Sequence, residues 1–199
     1  MAKIQQKITP HLWFDKEAKE AAKFYTSLFP NSKVTNVTTL HDTPSGDTDI
    51  VSFEVLGYKF MAISAGPYFK INPSISFFVN FDPSLMKNAK EKMDEVWDKL
   101  AEGGKIFMEL GEYPFSKHYG WVQDKYGLSW QLIFVGSEIK QSITPVLMFV
   151  GNVCGKAEEA VNFYASIFKD VKKGEISYYN VDTPSNKPKG SVLTVEFEI

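Results

Sequence analysis

The feature that most limits how this 199-residue chain can fold is an internal repeat. Ile8-Thr9-Pro10 recurs as Ile143-Thr144-Pro145. A short apolar run follows each, Leu12-Trp13-Phe14 in one copy and Val146-Leu147-Met148-Phe149 in the other. Helical spacing comes next. Ala18, Ala21, Ala22, Tyr25, Leu28 and Phe29 share one face by the i, i+3, i+4, i+7 rule, and Ala157, Ala160, Val161, Tyr164, Ile167 and Phe168 repeat the spacing. Glu20 matches Glu159, Phe24-Tyr25 matches Phe163-Tyr164, and Asp42-Thr43-Pro44-Ser45 returns as Asp182-Thr183-Pro184-Ser185. Matches of this kind in one order mark a repeated structural unit.

A fainter copy lies between these two. Residues 73–81 are apolar and β-rich, and Asp82-Pro83 then predicts a helix start, with Asp as N-cap and Pro at the first helical position. Ala89, Met93, Val96, Trp97 and Leu100 form an apolar stripe that Gly103-Gly104 ends. Residues 105–110, 118–123 and 128–134 read as strands, with a hairpin turn at Asp124-Lys125-Tyr126-Gly127. In the first copy, 34–41, 48–56 and 58–64 are the matching strands. Residues 8–64 and 73–134 are therefore expected to be two complete βαβββ units of an α+β fold. The third copy has a first strand at 143–149, a helix at 156–168 and strands near 173–181 and 190–199, but no fourth strand. Lys140 to Ser142 reads as a linker between a complete domain at 1–136 and an incomplete one at 143–199.

Composition narrows the partners. Sixteen Phe, nine Tyr and four Trp exceed what core filling needs, so an aromatic-lined cavity is expected. The 22 basic and 24 acidic residues are interspersed and give a net charge of −2, which argues against nucleic acid or an anionic membrane as partner. One cysteine, Cys154, excludes an internal disulfide framework and suits a reducing compartment. No signal-peptide pattern is visible at the N-terminus, and no run approaches the roughly 20 apolar residues that span a bilayer. A cytoplasmic location is expected.

Paired βαβββ units resemble the vicinal-oxygen-chelate superfamily, which includes glyoxalase I, bleomycin-resistance proteins and extradiol dioxygenases. The segment Val122 to Leu132 is similar to that superfamily's closing hairpin. Ile8-Thr9-Pro10-His11-Leu12-Trp13-Phe14, Phe24-Tyr25, Leu28-Phe29-Pro30 and Gly127-Leu128-Ser129-Trp130-Gln131 resemble the PhnB-like family, often labelled demethylubiquinone methyltransferases. The resemblance implies that paired units form a curved mixed sheet, a glyoxalase-like cup. Its ligands would come from the first and last strands of each unit, and the protein would be a homodimer. An unpaired edge at 190–199 would add a reason for pairing with another chain.

Aligning the units on one another locates the four implied positions. Leu12 to Asp15 aligns with Val79 to Asp82, so His11 matches Phe78. Gly57 to Met61 aligns with Gly127 to Gln131, so Met61 matches Gln131. A thioether, a phenyl ring, an amide and one imidazole are a poor set for zinc or non-haem iron, which take His, Cys and carboxylate. No metal and no cofactor are therefore expected. The expected function is binding of a small molecule among aromatic side chains, its reaction unassigned. The predicted ligand-binding residues are His11, Trp13, Met61, Phe78, Trp121 and Gln131, with His11 the one group suited to proton transfer near neutral pH. Ser129 and Ile133 share a face with Gln131, whereas Trp130 is expected to face the helix layer. His41 and His118 read as surface residues. A metal-dependent lyase, isomerase or dioxygenase is the alternative. Methyl transfer is the other, but the Gly-rich strand-to-helix turn expected for S-adenosylmethionine is missing, and Gly103-Gly104 ends a helix instead.

Overall fold

The computed structural model describes residues 6–136, 141–180 and 190–199. The chain divides into two compact units, residues 1–146 and 147–199. The second copy of Asp-Thr-Pro-Ser, at 182–185, and Lys140 of the expected linker lie outside the described residues.

The first unit holds both complete repeats. In one, β1 (His11–Phe14), α1 (Ala18–Leu28), β2 (Lys33–Thr43), β3 (Gly46–Val55) and β4 (Tyr58–Ser64) give a sheet in the order β1-β4-β3-β2. In the other, β5 (Ile75–Phe81), α2 (Ala89–Ala101), β6 (Lys105–Tyr113), β7 (Ser116–Gln123) and β8 (Ser129–Phe134) repeat that order as β6-β7-β8-β5. First and fourth strands pair in parallel in both, and the remaining pairs are antiparallel. β9 (Ile143–Leu147), the first strand of the third copy, lies beside β5 as a fifth strand, with Asn80 N donating to Ser142 O at 2.9 Å. The edge of β5 is thus covered, while β1 ends its own sheet.

Strand alternation separates two faces on each sheet. Leu12, Phe14, Phe53, Phe60 and Ala62 from the first sheet join Phe77, Val79, Phe81, Trp130 and Leu132 from the second in one buried core. Phe60 lies 5.0 Å from Phe77 and 6.5 Å from Trp130, ring centre to ring centre. From α1, Tyr25 reaches both Phe53 and Trp130, at 6.1 and 5.2 Å. Trp130 thus faces the helix layer, as its position predicts. The two sheets meet through their core faces, so residues one position out of phase on each sheet point away from that core.

Helix α2 departs from the sequence expectation. Asp82 does not cap it. Its carboxylate instead accepts from Ser84 N at 2.7 Å and its carbonyl from Met86 N at 2.8 Å, closing a separate turn. The helix starts at Ala89, after Asn88 in the left-handed region (φ 55°). Asp followed by Pro suits a turn as well as a helix start, and here the turn wins because the first apolar position of the stripe is Ala89. Between β7 and β8, Asp124 to Gly127 forms the expected turn, closed by Gly127 N to Asp124 O at 2.9 Å, with Gly127 at φ 88°.

In the second unit, a 3-10 turn (Gly151–Val153) and α3 (Ala157–Ile167) precede an antiparallel pair, β10 (Lys172–Tyr178) and β11 (Val192–Glu198). Tyr164 of α3 stacks on Phe197 of β11 at 5.9 Å.

Candidate ligand-binding face

The implied positions fall into two pairs on two sheets. His11 is opposite Met61 in the β1–β4 register, and Phe78 is opposite Gln131 in the β5–β8 register. Both pairs point away from the core, His11–Met61 on the first sheet and Phe78–Gln131 on the second.

On the first sheet's outer face, the His11 side chain is exposed and has no hydrogen-bond partner among the described residues. Trp13, two positions on, donates from Nε1 to Gly66 O at 2.8 Å and meets Phe69 edge-on at 5.1 Å. Among the described residues no carboxylate orients the His11 ring, so this face offers one solvated imidazole beside a thioether.

The second sheet's outer face is richer. β8 is its central strand, and Gln131 sits between Phe78 on β5 and Trp121 on β7. The amide is nearly buried, at 8% exposure. Tyr119 Oη donates to Gln131 Oε1, and Gln131 Nε2 donates to Ser76 Oγ at 2.7 Å. One turn of the pleat away, Trp121 Nε1 donates to Ser129 Oγ at 2.8 Å. Aromatic rings frame this chain of hydrogen bonds. Phe78 and Phe115 lie 6.3 and 5.0 Å from Tyr119, and Phe107 lies 5.0 Å from Trp121. Burial holds the Tyr119 hydroxyl well above the ordinary phenol range, with Tyr113 adding to the effect, so it works as a neutral donor.

Phe78, Trp121 and Gln131 are thus brought together on the second sheet, and His11, Trp13 and Met61 share the outer face of the first. Tyr119 and Ser76 were missed by the sequence reading. Period-two alternation could have found both, because Tyr119 is two residues before Trp121 and Ser76 two before Phe78. His118 corrects the surface expectation. Its side chain is 15% exposed, and Nε2 lies 2.6 Å from Asp94 Oδ1 on α2. His41 pairs with Asp47 at an exposed site, and Cys154 is exposed.

The superfamily's metal does not fit these residues. Gln131 and Phe78 face each other without an imidazole or carboxylate, and on the first sheet His11 faces the thioether of Met61. Among the described residues no three His, Cys, Asp or Glu side chains are grouped to hold an ion. No helix among them is long and apolar enough to cross a membrane.

Comparison with known proteins gives a consistent family. A family model described as 3-demethylubiquinone-9 3-methyltransferase matches residues 6–133 and 141–199. The PhnB protein from Bacillus cereus is 38% identical over 65% of this chain and 100% of its own, with a TM-score of 0.58. A Pseudomonas aeruginosa protein, 23% identical over 67% of this chain and 100% of its own, has a TM-score of 0.55. Glyoxalase I from Zea mays covers 96% of this chain and 66% of its own at 13% identity and a TM-score of 0.56. These last two likenesses concern the fold alone. No curated protein matches the chain.

Proposed function

The chain belongs to the family described as 3-demethylubiquinone-9 3-methyltransferase, PhnB-like proteins with the glyoxalase-superfamily fold, and from that membership we propose that it binds a small organic molecule on the outer face of its second sheet. Phe78 and Trp121 supply apolar walls on either side of Gln131, the central polar contact. The observation that carries this reading is the Tyr119–Gln131–Ser76 chain of hydrogen bonds inside an aromatic frame. Apolar walls with a few convergent polar groups are the usual form of a small-molecule site. Binding on this face draws on no metal.

The family's description names methyl transfer, and the residues give it little support. The connections into α1 (residues 15–17) and α2 (residues 82–88) contain no glycine. Gly151 and Gly155 precede α3, but the first opens a 3-10 turn, the second follows it, and the pair lacks the G-x-G-x-x-G spacing of a nucleotide-binding turn. A second copy of the chain is the proposed protein partner, through the edge strand β1. A monomer by analytical ultracentrifugation at micromolar concentration would remove that part.

Native mass spectrometry of the purified protein, with extraction and identification of whatever it carries, tests the binding site. The expected result is a small molecule retained by the wild type and lost in Trp121→Ala. Retention in both Trp121→Ala and Phe78→Ala would place the ligand elsewhere.

A further inference from the structure

We infer that the ligand on this face is a neutral, planar molecule that presents a carbonyl-type oxygen to the Gln131 amide, and that Tyr119 is the positioning residue for that amide. The inference rests on the proposed binding face and deepens it to a ligand class.

Donor bookkeeping leads there. Tyr119 and Ser76 each bring one O–H, and Gln131 brings two N–H groups. Only two hydrogen bonds join the three side chains, so two polar hydrogens have no acceptor among the described residues. Turning the amide over exchanges which atoms bond, but the surplus of two donors remains. Ser129 adds another, since its oxygen accepts from Trp121 while its own proton has no acceptor among the described residues. Under-used lone pairs are tolerated in protein interiors far better than orphaned donors. The complement of a nearly buried face with surplus donors is a molecule that accepts.

Charge and shape narrow the class further. None of Ser76, Phe78, Tyr119, Trp121, Ser129 and Gln131 is cationic, and the ammonium of Lys105 at the rim is held over the Phe107 ring, 5.3 Å from its centre, so an anion at Gln131 would lose its water without a counter-charge in contact. A neutral oxygen acceptor loses less. Phe78 and Trp121 stand on the strands either side of Gln131, about 4.8 Å away in each direction. That spacing suits a flat body whose polar atom drops between the rings onto the amide. Tyr119 holds Gln131 Oε1 on one side, which leaves Nε2 to serve both Ser76 and the ligand.

Three small probes test this on the intact protein: acetophenone, ethylbenzene, which has the same skeleton without the oxygen, and the benzoate anion. Side-chain amide resonances of 15N-labelled protein are monitored, with Gln131 assigned through Gln131→Leu. Acetophenone should move the Gln131 amide signal and bind roughly tenfold more tightly than either other probe, the scale of one well-placed hydrogen bond. In Tyr119→Phe that preference should shrink to about twofold while ethylbenzene affinity holds, a split that general loosening would not produce. Equal binding of acetophenone and ethylbenzene, or equally tight binding of benzoate, would overturn the ligand class and leave the binding face standing. Failure of all three probes to perturb any residue of the face would remove the face as well.

Discussion

Asp124 is a buried carboxylate at the turn between β7 and β8. Its Oδ1 accepts from Tyr126 N at 2.8 Å and Leu128 N at 3.0 Å, and its Oδ2 accepts from Trp130 Nε1 at 2.8 Å. The buried Tyr25 hydroxyl faces the same carboxylate, and desolvation, with that negative charge second, holds its ionisation far out of reach. Desolvation raises the Asp124 pKa, and the polar hydrogens of Trp130, Tyr25 and the backbone only partly oppose it. A group raised on folding contributes its stability fully below its unfolded pKa and loses it as pH rises through the folded pKa. Asp124→Asn keeps the two backbone bonds but turns a donor toward Trp130, at an expected cost of about 1–3 kcal/mol at neutral pH. The cost should grow as pH falls toward about 4.5, because only the wild type gains there. Urea denaturation at both pH values checks it, and a cost that shrinks on acidification would contradict it. Asp49, held below the ordinary carboxylate range by Lys19 and Thr39, loses its contribution only at lower pH and does not blur this window.

Elements of like sequence meet different fates here. The stripes of α1 and α3 match position by position, yet Tyr25, Leu28 and Phe29 are buried whereas Ile167 is 56% and Phe168 40% exposed. The difference lies in what covers them. Phe81, Tyr126 and Trp130 of the second repeat pack on α1 and the Phe29 that follows it, whereas among the described residues of the second unit α3 packs on β10 and β11. Helix identity was therefore legible from the 3.6-residue period, but burial was not, since it depends on distant sequence. The start of α2 is illegible for a related reason, because Asp-Pro specifies a turn without specifying where the next helix begins. Gly120 lets β7 approach α2 closely. A Cβ at that position on β7 would lie 2.4 Å from the Trp97 ring of α2. Gly120→Ala should cost about 1–3 kcal/mol by overpacking, read as a lower urea midpoint, and pairing it with Trp97→Leu should recover part of the loss. An unchanged midpoint would mean that the helix and strand are not in this contact.

Across the whole molecule, the repeat made the fold and the order of strands legible, and self-alignment found the equivalent positions. It could not show that these positions lie on two separate sheets that share one core. That arrangement depends on which faces Phe60, Phe77 and Trp130 share, and alternation alone does not choose between partners. Nor could it show that β9 would take the edge of β5. The uneven cover of the repeats predicts uneven stability. Among the described residues of 147–199, Val161 is the one buried hydrophobic side chain. Amide exchange should therefore be faster in Ala157–Ile167 than in Ala18–Leu28, and mass-resolved exchange showing equal protection would contradict this. The central claim, that the second sheet's outer face is the binding face, has its own reporters in Trp121 on that face and Trp13 on the first sheet. The most direct test is saturable quenching of tryptophan emission by acetophenone in single variants. The account predicts that the saturable component disappears in Trp121→Phe and persists in Trp13→Phe. Loss in Trp13→Phe with persistence in Trp121→Phe would contradict it.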